Sequence, residues 1–410
     1  MSPLRLNVFS EIAPLEQVLV HTPGAEMDLV SPKSLEKLLF EDILFLSDAR
    51  REHQIFCAVL EKFVGSQGAV VQVSSLLSET FEKENARGEF VDEICRVSTD
   101  LNLSAFSGEL LKLSPTELLK FALTGQSPLK LNALPLPNLM FMRDVAAVVG
   151  NHAIISHPAT AARAREGVIM HTILKHHNAF SSYSDNLIKL PKGVTFEGGD
   201  LLVASDKVIL IGDSQRTSLG GIYSIVQELF AHTNYENVIL YNLPKDRYCM
   251  HMDTVFTFMS ENECMAFPPL IGQSGLNNTL SLSRDPNSDN LLTALYPDLH
   301  AALQETSGID YTFAACGGPN LLTQEREQWT DGANLFAVAP GVVIGYSRNS
   351  ESFNELARLG YRLVTAEGFL SYHAESDYEP GEKLAIRLEG SELSRGRGGP
   401  RCMTMPISRR

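Results

Sequence analysis

The stretch FEGGDLLVASDKVILIG, residues 196–212, contains the pattern that decides the fold. It opens with two carboxylates, Glu197 and Asp200, separated by two glycines, and continues as two apolar runs joined by a polar turn at residues 205–207. Two apolar runs joined by a short polar turn are typical of a β-hairpin. The segment therefore predicts a hairpin over residues 201–212 that is entered through an acidic turn.

The same plan occurs four times along the chain, which indicates an internal repeat. The predicted hairpins cover residues 145–156, 201–212, 255–267 and 335–346, and a polar cluster precedes each of them. Asp144, Asp200 and Asp253 hold the same place in three of these clusters, at intervals of 56 and 53 residues. If each repeat is one unit about an axis, the clusters converge at one end of that axis. Residues 17–22 predict the start of a fifth, degenerate unit.

Amphipathic helical stretches lie between the hairpins, for example over residues 160–177 and 220–232, so the pattern predicts an α/β fold. Residues 76–133 differ, because they are rich in helix formers and contain few strand signals. Within them, the order Ser114, Pro115, Glu117 is a typical helix start. We therefore predict an inserted α-helical domain over residues 76–133.

Composition limits the classes of function. The chain has 410 residues, of which 44% are hydrophobic and 20% charged, and it carries a formal net charge of −15. An acidic chain repels phosphate backbones and anionic lipid surfaces, so we expect neither nucleic acid nor membrane as a partner. No apolar run approaches the roughly 18 residues of a spanning helix.

The cysteines and the N-terminal residues predict a cytoplasmic protein. Six cysteines are spread along the chain without a CxxC pair, which favours reduced thiols over a disulfide framework or a structural zinc site. Glu11 and Pro14 interrupt the apolar core that a signal peptide would need. No Walker or dinucleotide-binding glycine pattern follows a strand, so we expect no cofactor.

Two polar clusters carry candidate chemistry. Glu197 and Asp200 are three residues apart across Gly-Gly, which allows a sharp turn that aims both acids at one volume. His251 and Asp253 stand at i and i+2, which share a face in a strand. Solvated turn acids, a structural histidine or metal ligands are the alternative interpretations. The position of both clusters in the repeat favours a functional one.

The C-terminal segment SELSRGRGGPRCMTMP, residues 391–406, contains a candidate nucleophile in Cys402. Arg395, Arg397 and Arg401 surround this cysteine in sequence, and neighbouring cations favour the thiolate. A disordered basic tail and an RGG nucleic-acid segment are the alternatives, but the acidic chain and the single RGRGG argue against both. A thiol, a histidine and several acids together suit a planar cationic substrate, because carboxylates bind a guanidinium in bidentate fashion.

Six motifs resemble those of arginine deiminases when they are taken in order. They are PNLMFMRD at 137–144, FEGGD at 196–200, SQRTS at 214–218, HMDTVFT at 251–257, QWTDGANLFAVAPGVVIGYSRN at 328–349 and ELSRGRGGPRCMTMP at 392–406. The resemblance implies a five-bladed pseudosymmetric α/β propeller of ββαβ units with an inserted α-helical domain. Residues 1–75 and 134–410 would then form the catalytic propeller, and 76–133 the insertion.

The resemblance also implies the reaction and the residues that perform it. The reaction is hydrolysis of L-arginine to L-citrulline and ammonia through a covalent thiouronium on cysteine, with no metal. The implied catalytic residues are Cys402, His251, Glu197, Asp144 and Asp253. The implied substrate-binding residues are Leu39, Asn138, Phe141, Arg163, Asp200, Arg216, Gly396 and Arg397, with Arg163 chosen over Arg165 by its spacing from Asp144.

Two positions depart from the family pattern. Met142 stands where a small polar residue is more common, and Gln215 stands where an acid is usual. Two alternatives stay open: another guanidine-modifying hydrolase or amidinotransferase, with an agmatine or methylarginine substrate, and a catalytically silent binding protein of the same fold. Trp329 is interpreted as a packing residue. We expect the protein to form a homo-oligomer.

Overall fold

The computed structural model describes residues 3–98, 103–129, 131, 133–272, 278–288, 290–371 and 381–410. The strands are β1 (Leu15–Val20), β2 (Ala69–Gln72), β3 (Ala146–Val149), β4 (His152–Ile155), β5 (Leu187–Ile188), β6 (Leu201–Val203), β7 (Val208–Asp213), β8 (Asn237–Asn242), β9 (Phe256–Phe258), β10 (Glu263–Ala266), β11 (Thr279–Arg284), β12 (Leu291–Tyr296), β13 (Thr312–Ala315), β14 (Phe336–Ala339), β15 (Val342–Tyr346), β16 (Arg362–Thr365), β17 (Leu384–Leu388) and β18 (Met405–Arg409). The helices are α1 (Leu46–Val64), α2 (Val73–Phe81), α3 (Glu84–Val97), α4 (Ser107–Leu110), α5 (Pro115–Thr124), α6 (Ala164–His176), α7 (Leu219–His232), α8 (Pro268–Ile271), α9 (Leu299–Ser307), α10 (Leu321–Trp329), α11 (Ser350–Arg358) and α12 (Ala366–Ser371).

The strands form five sheets that share one plan, a hairpin joined by a third strand in parallel. In one sheet, β3 pairs antiparallel with β4, and β4 pairs parallel with β5. The equivalent triplets are β6-β7-β8, β9-β10-β13, β14-β15-β17 and β18-β1-β2. The four predicted hairpins are confirmed, and a crossover helix precedes each parallel strand, as parallel pairing requires.

The two ends of the chain build the fifth unit together. Strand β1 pairs antiparallel with β18 and parallel with β2, so the hairpin partner of β1 comes from the last residues of the chain. The predicted fifth unit is therefore present and begins at Leu15. Cys402 stands three residues before β18, as Asp253 stands three residues before β9. The cysteine thus occupies the repeat position held elsewhere by aspartates.

The polar segments before the five hairpins meet in a closed ring. The segment Met142–Asp144 contacts the segment Gly198–Asp200, and hydrogen bonds make the remaining links. These are Met252 N to Asp200 Oδ1 at 2.8 Å, Asn334 Nδ2 to the Asp253 carbonyl at 3.0 Å, Cys402 N to Asn334 Oδ1 at 3.0 Å, and Arg143 N to the Cys402 carbonyl at 2.9 Å. The predicted convergence of the clusters at one end is confirmed.

Helices α2 to α5 lie in the region that was predicted as a helical insertion. Ser114 and Glu117 form a reciprocal capping box at the start of α5, as their spacing predicts. Phe90 and Phe121 of these helices share one apolar core with Ile169 and Ile173 of α6. Burial of such side chains contributes about 1.5 to 3 kcal/mol each, which ties the helices to the β3 unit. Helix α2 begins at Val73, and we propose the division into two domains as predicted.

Two extensions of the sheets were not predicted. Strand β16 pairs parallel with β17 at the edge of one sheet. Strands β11 and β12 pair antiparallel and extend the sheet of β6, β7 and β8 to five strands. Most of β12 is exposed to solvent, so its sequence lacks the buried pattern that marks the other hairpins. Among the described residues, none of the helices combines the length and apolar character needed to cross a bilayer.

Candidate active site

The ring of polar segments encloses a small cavity. All the predicted site residues line it except Glu197, Asp200 and Asp253, and Arg247 and Met250 line it as well. The cavity holds about 20 Å³, roughly the room of one water molecule. The structure therefore brings these predicted residues together around a cavity that their own side chains leave nearly closed.

His251 lies between two buried carboxylates. Its Nε2 is 2.9 Å from Glu197 Oε2, and its Nδ1 is 3.6 Å from Asp144 Oδ1. Burial alone would lower the pKa of His251, but the charge of Asp144 and the hydrogen bond with Glu197 raise it to about 9. Burial would raise the pKa of Glu197, yet His251 and Arg163 lower it to about 2. At neutral pH this is an imidazolium beside a carboxylate, ready to donate a proton.

Cys402 is a protonated thiol in this arrangement. Its Sγ is 3.7 Å from Asp253 Oδ2, and the side chain is buried. Burial, followed by the charges of Asp253, Asp144 and Asp331, raises the pKa of Cys402 well above its usual range. The thiol therefore needs additional positive charge nearby before it can ionise.

The sequence left the resting protonation of Cys402 open, and the three arginines near it in sequence are each engaged with other groups. Arg395 forms ion pairs with Asp42 and Glu392 at the surface. The Arg397 guanidinium lies 3.4 Å from the ring centre of Trp329. Arg401 forms ion pairs with Asp253 and with the buried Glu11. Trp329 thus supports a residue of the cavity wall, beyond simple packing.

Arg163 occupies the acids of the site. Its Nη1 is 2.6 Å from Asp144 Oδ2 and 3.5 Å from Glu197 Oε2, and its Nη2 is 2.8 Å from Glu166 Oε2. Arg216 Nη1 lies 3.6 Å from Glu197 Oε1. Asp144 and Glu197 therefore hold a guanidinium already, and it belongs to the protein.

Arg165 lies outside the cavity, in agreement with the choice of Arg163. Its guanidinium donates to the carbonyls of Phe121 and Ala122 in the last turn of α5, and to Leu134. Arg165 is buried, and burial lowers its pKa to about 10. It satisfies the helix end of the insertion.

The remaining predicted acids have different positions. Asp253 contacts the thiol directly, whereas Asp200 stands one step away from the cavity. Asp200 accepts hydrogen bonds from Ser214 Oγ at 2.6 Å and from Met252 N at 2.8 Å. Burial raises its pKa to about 7. Asp200 thus fixes the backbone between His251 and Asp253 and has no position in which to touch a substrate.

Backbone strain is concentrated at the cavity. Leu39, Asp331 and Arg397 are the non-glycine residues with positive φ in the described part of the chain, at 64°, 63° and 62°. Leu39 and Arg397 line the cavity. Burial lowers the pKa of Arg397, and the negative charge of Asp331 partly offsets that decrease. Strained residues of this kind cluster at functional sites. Gly199 is required for another reason, because a Cβ there would lie 2.7 Å from Asp144 Oδ1.

Within the described part of the chain, two groups of side chains have the donors that a metal ion would need. Asp144, Glu197 and His251 converge within the site, and Glu89, Glu93 and His171 converge between α3 and α6. In the first group the Arg163 cation contacts both carboxylates. In the second group Lys175 pairs with Glu89 and Lys189 with Glu93. Protein cations therefore already balance the acids of both groups.

Comparisons with known proteins identify the family. The family model for arginine deiminase matches residues 36–409. The arginine deiminase of Listeria monocytogenes serotype 4a (strain HCC23) is 34% identical over 432 residues, which cover 98% of each chain. That of Latilactobacillus sakei is 31% identical over 433 residues, which cover 100% of this chain and 99% of the relative. The chain belongs to the arginine deiminase family. The resemblance stated from the sequence motifs is confirmed.

Solved structures share the fold. An amidinotransferase of saxitoxin biosynthesis from Microseira wollei has a TM-score of 0.58 at 14% identity, covering 99% of this chain and 97% of that one. A dimethylarginine dimethylaminohydrolase mutant from Pseudomonas aeruginosa, complexed with citrulline, has a TM-score of 0.50 at 15% identity. The match covers 96% of this chain and 99% of that one. At these identities the likeness concerns the fold alone, and it confirms the predicted α/β propeller of the arginine deiminase family.

Some residues of the site were not predicted. Asn334 joins the Asp253 carbonyl to the Cys402 amide, and its place in the fourth polar cluster of the repeat was the available signal. Arg247 donates to the Leu39 carbonyl at 2.7 Å and carried no sequence signal. Among the departures from the arginine deiminase pattern, Gln215 Oε1 accepts from Arg216 Nε at 3.4 Å. The amide thus still contacts the arginine that an acid would pair with.

Proposed function

We propose that the chain hydrolyses L-arginine to L-citrulline and ammonia, with Cys402 as nucleophile and His251 as proton carrier. The observation that carries the proposal is the acid pair Asp144 and Glu197, which holds a guanidinium beside a buried thiol and a protonated imidazole. The family match supports the same reaction. Incubation with L-arginine, followed by assays for citrulline and ammonia, tests it directly.

Substrate entry requires Arg163 to leave the acids, because a cavity of about 20 Å³ cannot hold arginine. Departure of Arg163 frees Asp144, and the guanidinium of the substrate then binds between Asp144 and Asp253. Arg163 and Arg216, together with the Asn138 amide, are left to bind the substrate carboxylate. Phe141 and Leu39, with Gly396 and Arg397 of the C-terminal loop, form the walls.

The first half of the reaction forms a C–S bond and releases ammonia. The bound guanidinium brings positive charge beside Cys402, which lowers the pKa of the thiol and favours loss of its proton to solvent. The thiolate attacks the guanidinium carbon and forms a neutral tetrahedral adduct. His251 then donates its proton to one amino group, the C–N bond breaks, and ammonia leaves a cationic thiouronium on Cys402.

The second half consumes water and restores the enzyme. Neutral His251, oriented by Glu197, removes a proton from water as the oxygen attacks the thiouronium carbon. The new tetrahedral adduct collapses to the urea carbonyl of citrulline as the C–S bond breaks, and its hydroxyl proton passes to the departing Cys402 sulfur, which restores the resting thiol. Atoms balance as arginine plus water giving citrulline plus ammonia.

We expect strong selectivity for L-arginine over agmatine, which lacks the carboxylate. Without that partner, Arg163 gives up its contacts with Asp144 and Glu197 to the incoming guanidinium and gains no carboxylate in return, at a cost of about 2 to 5 kcal/mol. This corresponds to a decrease in kcat/KM of roughly 30-fold to several thousand-fold. Parallel assays of the two substrates measure the ratio, and equal turnover would favour the alternative of an agmatine or methylarginine enzyme.

We expect activity to survive chelation, because the chemistry needs no metal and Arg163 already neutralises Asp144 and Glu197. The measurement is citrulline formation after exhaustive dialysis against a chelator, with and without added zinc. Activity that disappears on chelation and returns with zinc would contradict the cysteine mechanism, since three donors of a metal site are present in Asp144, Glu197 and His251.

We also propose that the enzyme is a cytoplasmic homo-oligomer that binds neither nucleic acid nor membrane. The net charge of −15 supports the exclusion of anionic partners. Self-association is supported by the apolar edge strand β12, on which Leu295 is 72% exposed. A mass measurement in solution tests the oligomeric state.

A further inference from the structure

Two charged side chains are buried behind the active site and have no part in the chemistry described above. Arg401 is 1% exposed and Glu11 is 7% exposed. Removing two such charges from water costs several kcal/mol per ion unless both are paired with good geometry. The contacts of Glu11 and Arg401 therefore indicate the role that keeps both charges buried.

Arg401 donates hydrogen bonds to Glu11 on one side of its guanidinium and to Asp253 on the other. Its Nε and Nη2 donate to the two oxygens of Glu11 at 3.1 and 3.0 Å. Its Nη2 also donates to the Leu201 carbonyl at 2.8 Å, and its Nη1 donates to Asp253 Oδ2 at 2.8 Å. The guanidinium is thus fixed in its plane by contacts on three of its nitrogens.

Glu11 is itself held by hydrogen bonds to Val203, at the end of strand β6. Its backbone N–H donates to the Val203 carbonyl at 2.8 Å, and its Oε1 accepts from Val203 N at 3.3 Å. Arg143 Nη1 lies 4.0 Å from the same Oε1. Glu11 and Asp253 thus face two buried arginines, Arg401 and Arg143, and the charge of the buried Arg409 also acts on Glu11. Burial would raise the pKa of Glu11, but Arg401 and Arg143 lower it to about 2.

Asp253 is left with one oxygen engaged and one open. Its Oδ2 accepts from Arg401 and lies 3.7 Å from Cys402 Sγ. Its Oδ1 is buried and has no hydrogen-bond partner among the described residues. An unpartnered carboxylate oxygen inside a protein is costly, so its presence beside the thiol indicates a position kept for a cation.

We propose that Glu11 and Arg401 are a positioning pair for arginine hydrolysis, in which Glu11 holds Arg401 and Arg401 fixes Asp253 with one oxygen open to the substrate guanidinium. This inference rests on the proposed function. The need for Glu11 follows from the chemistry of Arg401, a guanidinium adjacent in sequence to the nucleophile. Without the bidentate grip, Arg401 turns toward both oxygens of Asp253 and competes with the substrate.

Glu11→Gln tests the pair, because it keeps the shape and removes the charge. We expect the KM for arginine to rise, by on the order of 100-fold as for a misplaced binding group, while kcat changes little. Removal of a negative charge should also lower the pKa of the Cys402 thiol. Alkylation of Cys402 by iodoacetamide, located by peptide mapping, should then begin at a lower pH than in the wild type. The other groups that face the thiol are Asp144, Asp253, Asp331, His251, Arg397 and Tyr346, and all are unchanged in this variant.

Glu263→Gln is the matched control. Glu263 is a buried acid that pairs with Lys383 and accepts from Tyr361 Oη, far from the cavity. It should cost stability and leave both the KM and the alkylation profile as in the wild type. If Glu11→Gln behaves in the same way, the pair is structural only and the inference is wrong.

Two further variants keep the test decisive if Glu11→Gln fails to fold. Arg401→Lys keeps the charge but cannot hold Glu11 and Asp253 together, so the KM should still rise. Glu11→Asp keeps the charge with a shorter reach, so the KM should rise while the alkylation profile stays. Wild-type kinetics for Arg401→Lys would overturn the proposal. Alkylation needs no turnover, so its pH shift still tests the pair if the wild type fails to hydrolyse arginine.

Discussion

Cys402→Ser should abolish arginine turnover and leave arginine binding intact. A serine hydroxyl is a far weaker nucleophile than a thiolate, and no base is dedicated to its activation, since His251 is already protonated. We expect kcat to fall by roughly 10⁴-fold or more, as when a nucleophile is removed from other enzymes. The acids Asp144 and Asp253 are untouched, so calorimetry should find arginine affinity close to that of the wild type.

Cys316→Ser is the control for this substitution. Cys316 is buried in an apolar core outside the cavity lining, where Ser352 Oγ lies 3.7 Å from its Sγ. The change should alter stability slightly and leave kcat unchanged. Near wild-type turnover by Cys402→Ser, or loss of turnover in Cys316→Ser, would show that the nucleophile has been misassigned.

The repeat made much of the fold predictable. Each hairpin is a local element whose apolar runs and turn are contiguous, so the sequence around Gly150 or residues 205–207 contains all the information needed. The closing unit was harder, because β1 finds its antiparallel partner in β18, about 400 residues away. Strand β12 was missed because its exposed side chains lack the alternation that burial imposes, and its partner β11 was missed with it.

The residue types of the site were predictable, but their side-chain partners were not. Phase in the repeat pointed to Asp144, Asp200 and Asp253, and all three are in the ring. Sequence could not tell that Arg163 reaches Asp144, because that contact depends on how α6 packs. For the same reason the resting protonation of Cys402 could not be told from the sequence, because the carboxylates that raise its pKa lie far from it along the chain.

His251→Ala should slow both halves of the reaction and allow the covalent intermediate to accumulate on Cys402. Loss of a general acid and base typically costs 10² to 10⁴-fold, so we expect kcat to fall by about that range. Ammonia departure can draw a proton from solvent, whereas hydrolysis of the thiouronium needs water activated within a buried cavity. The second half should therefore become rate-limiting, and mass spectrometry of acid-quenched protein should locate arginine minus ammonia on the Cys402 peptide.

The pH profile offers an independent check on the same residue. The pKa of His251 is raised to about 9, so the imidazole holds its proton below that pH and loses it above. Wild-type kcat/KM should therefore decrease as the pH rises through about 9, when the acid for ammonia departure is lost. His251→Ala should lack this decrease, while Cys402→Ser gives no adduct at any pH.

Charge predicts that His251→Ala lowers the KM as it lowers kcat. The imidazolium shares Asp144 with the substrate guanidinium, and its Nδ1 lies 3.6 Å from Asp144 Oδ1. Removing that cation leaves the acids more negative, so a guanidinium is held more tightly. An accumulating thiouronium lowers the KM further, because the rate-limiting step then follows covalent capture. A raised KM, or an adduct on a cysteine other than Cys402, would contradict the role assigned to His251.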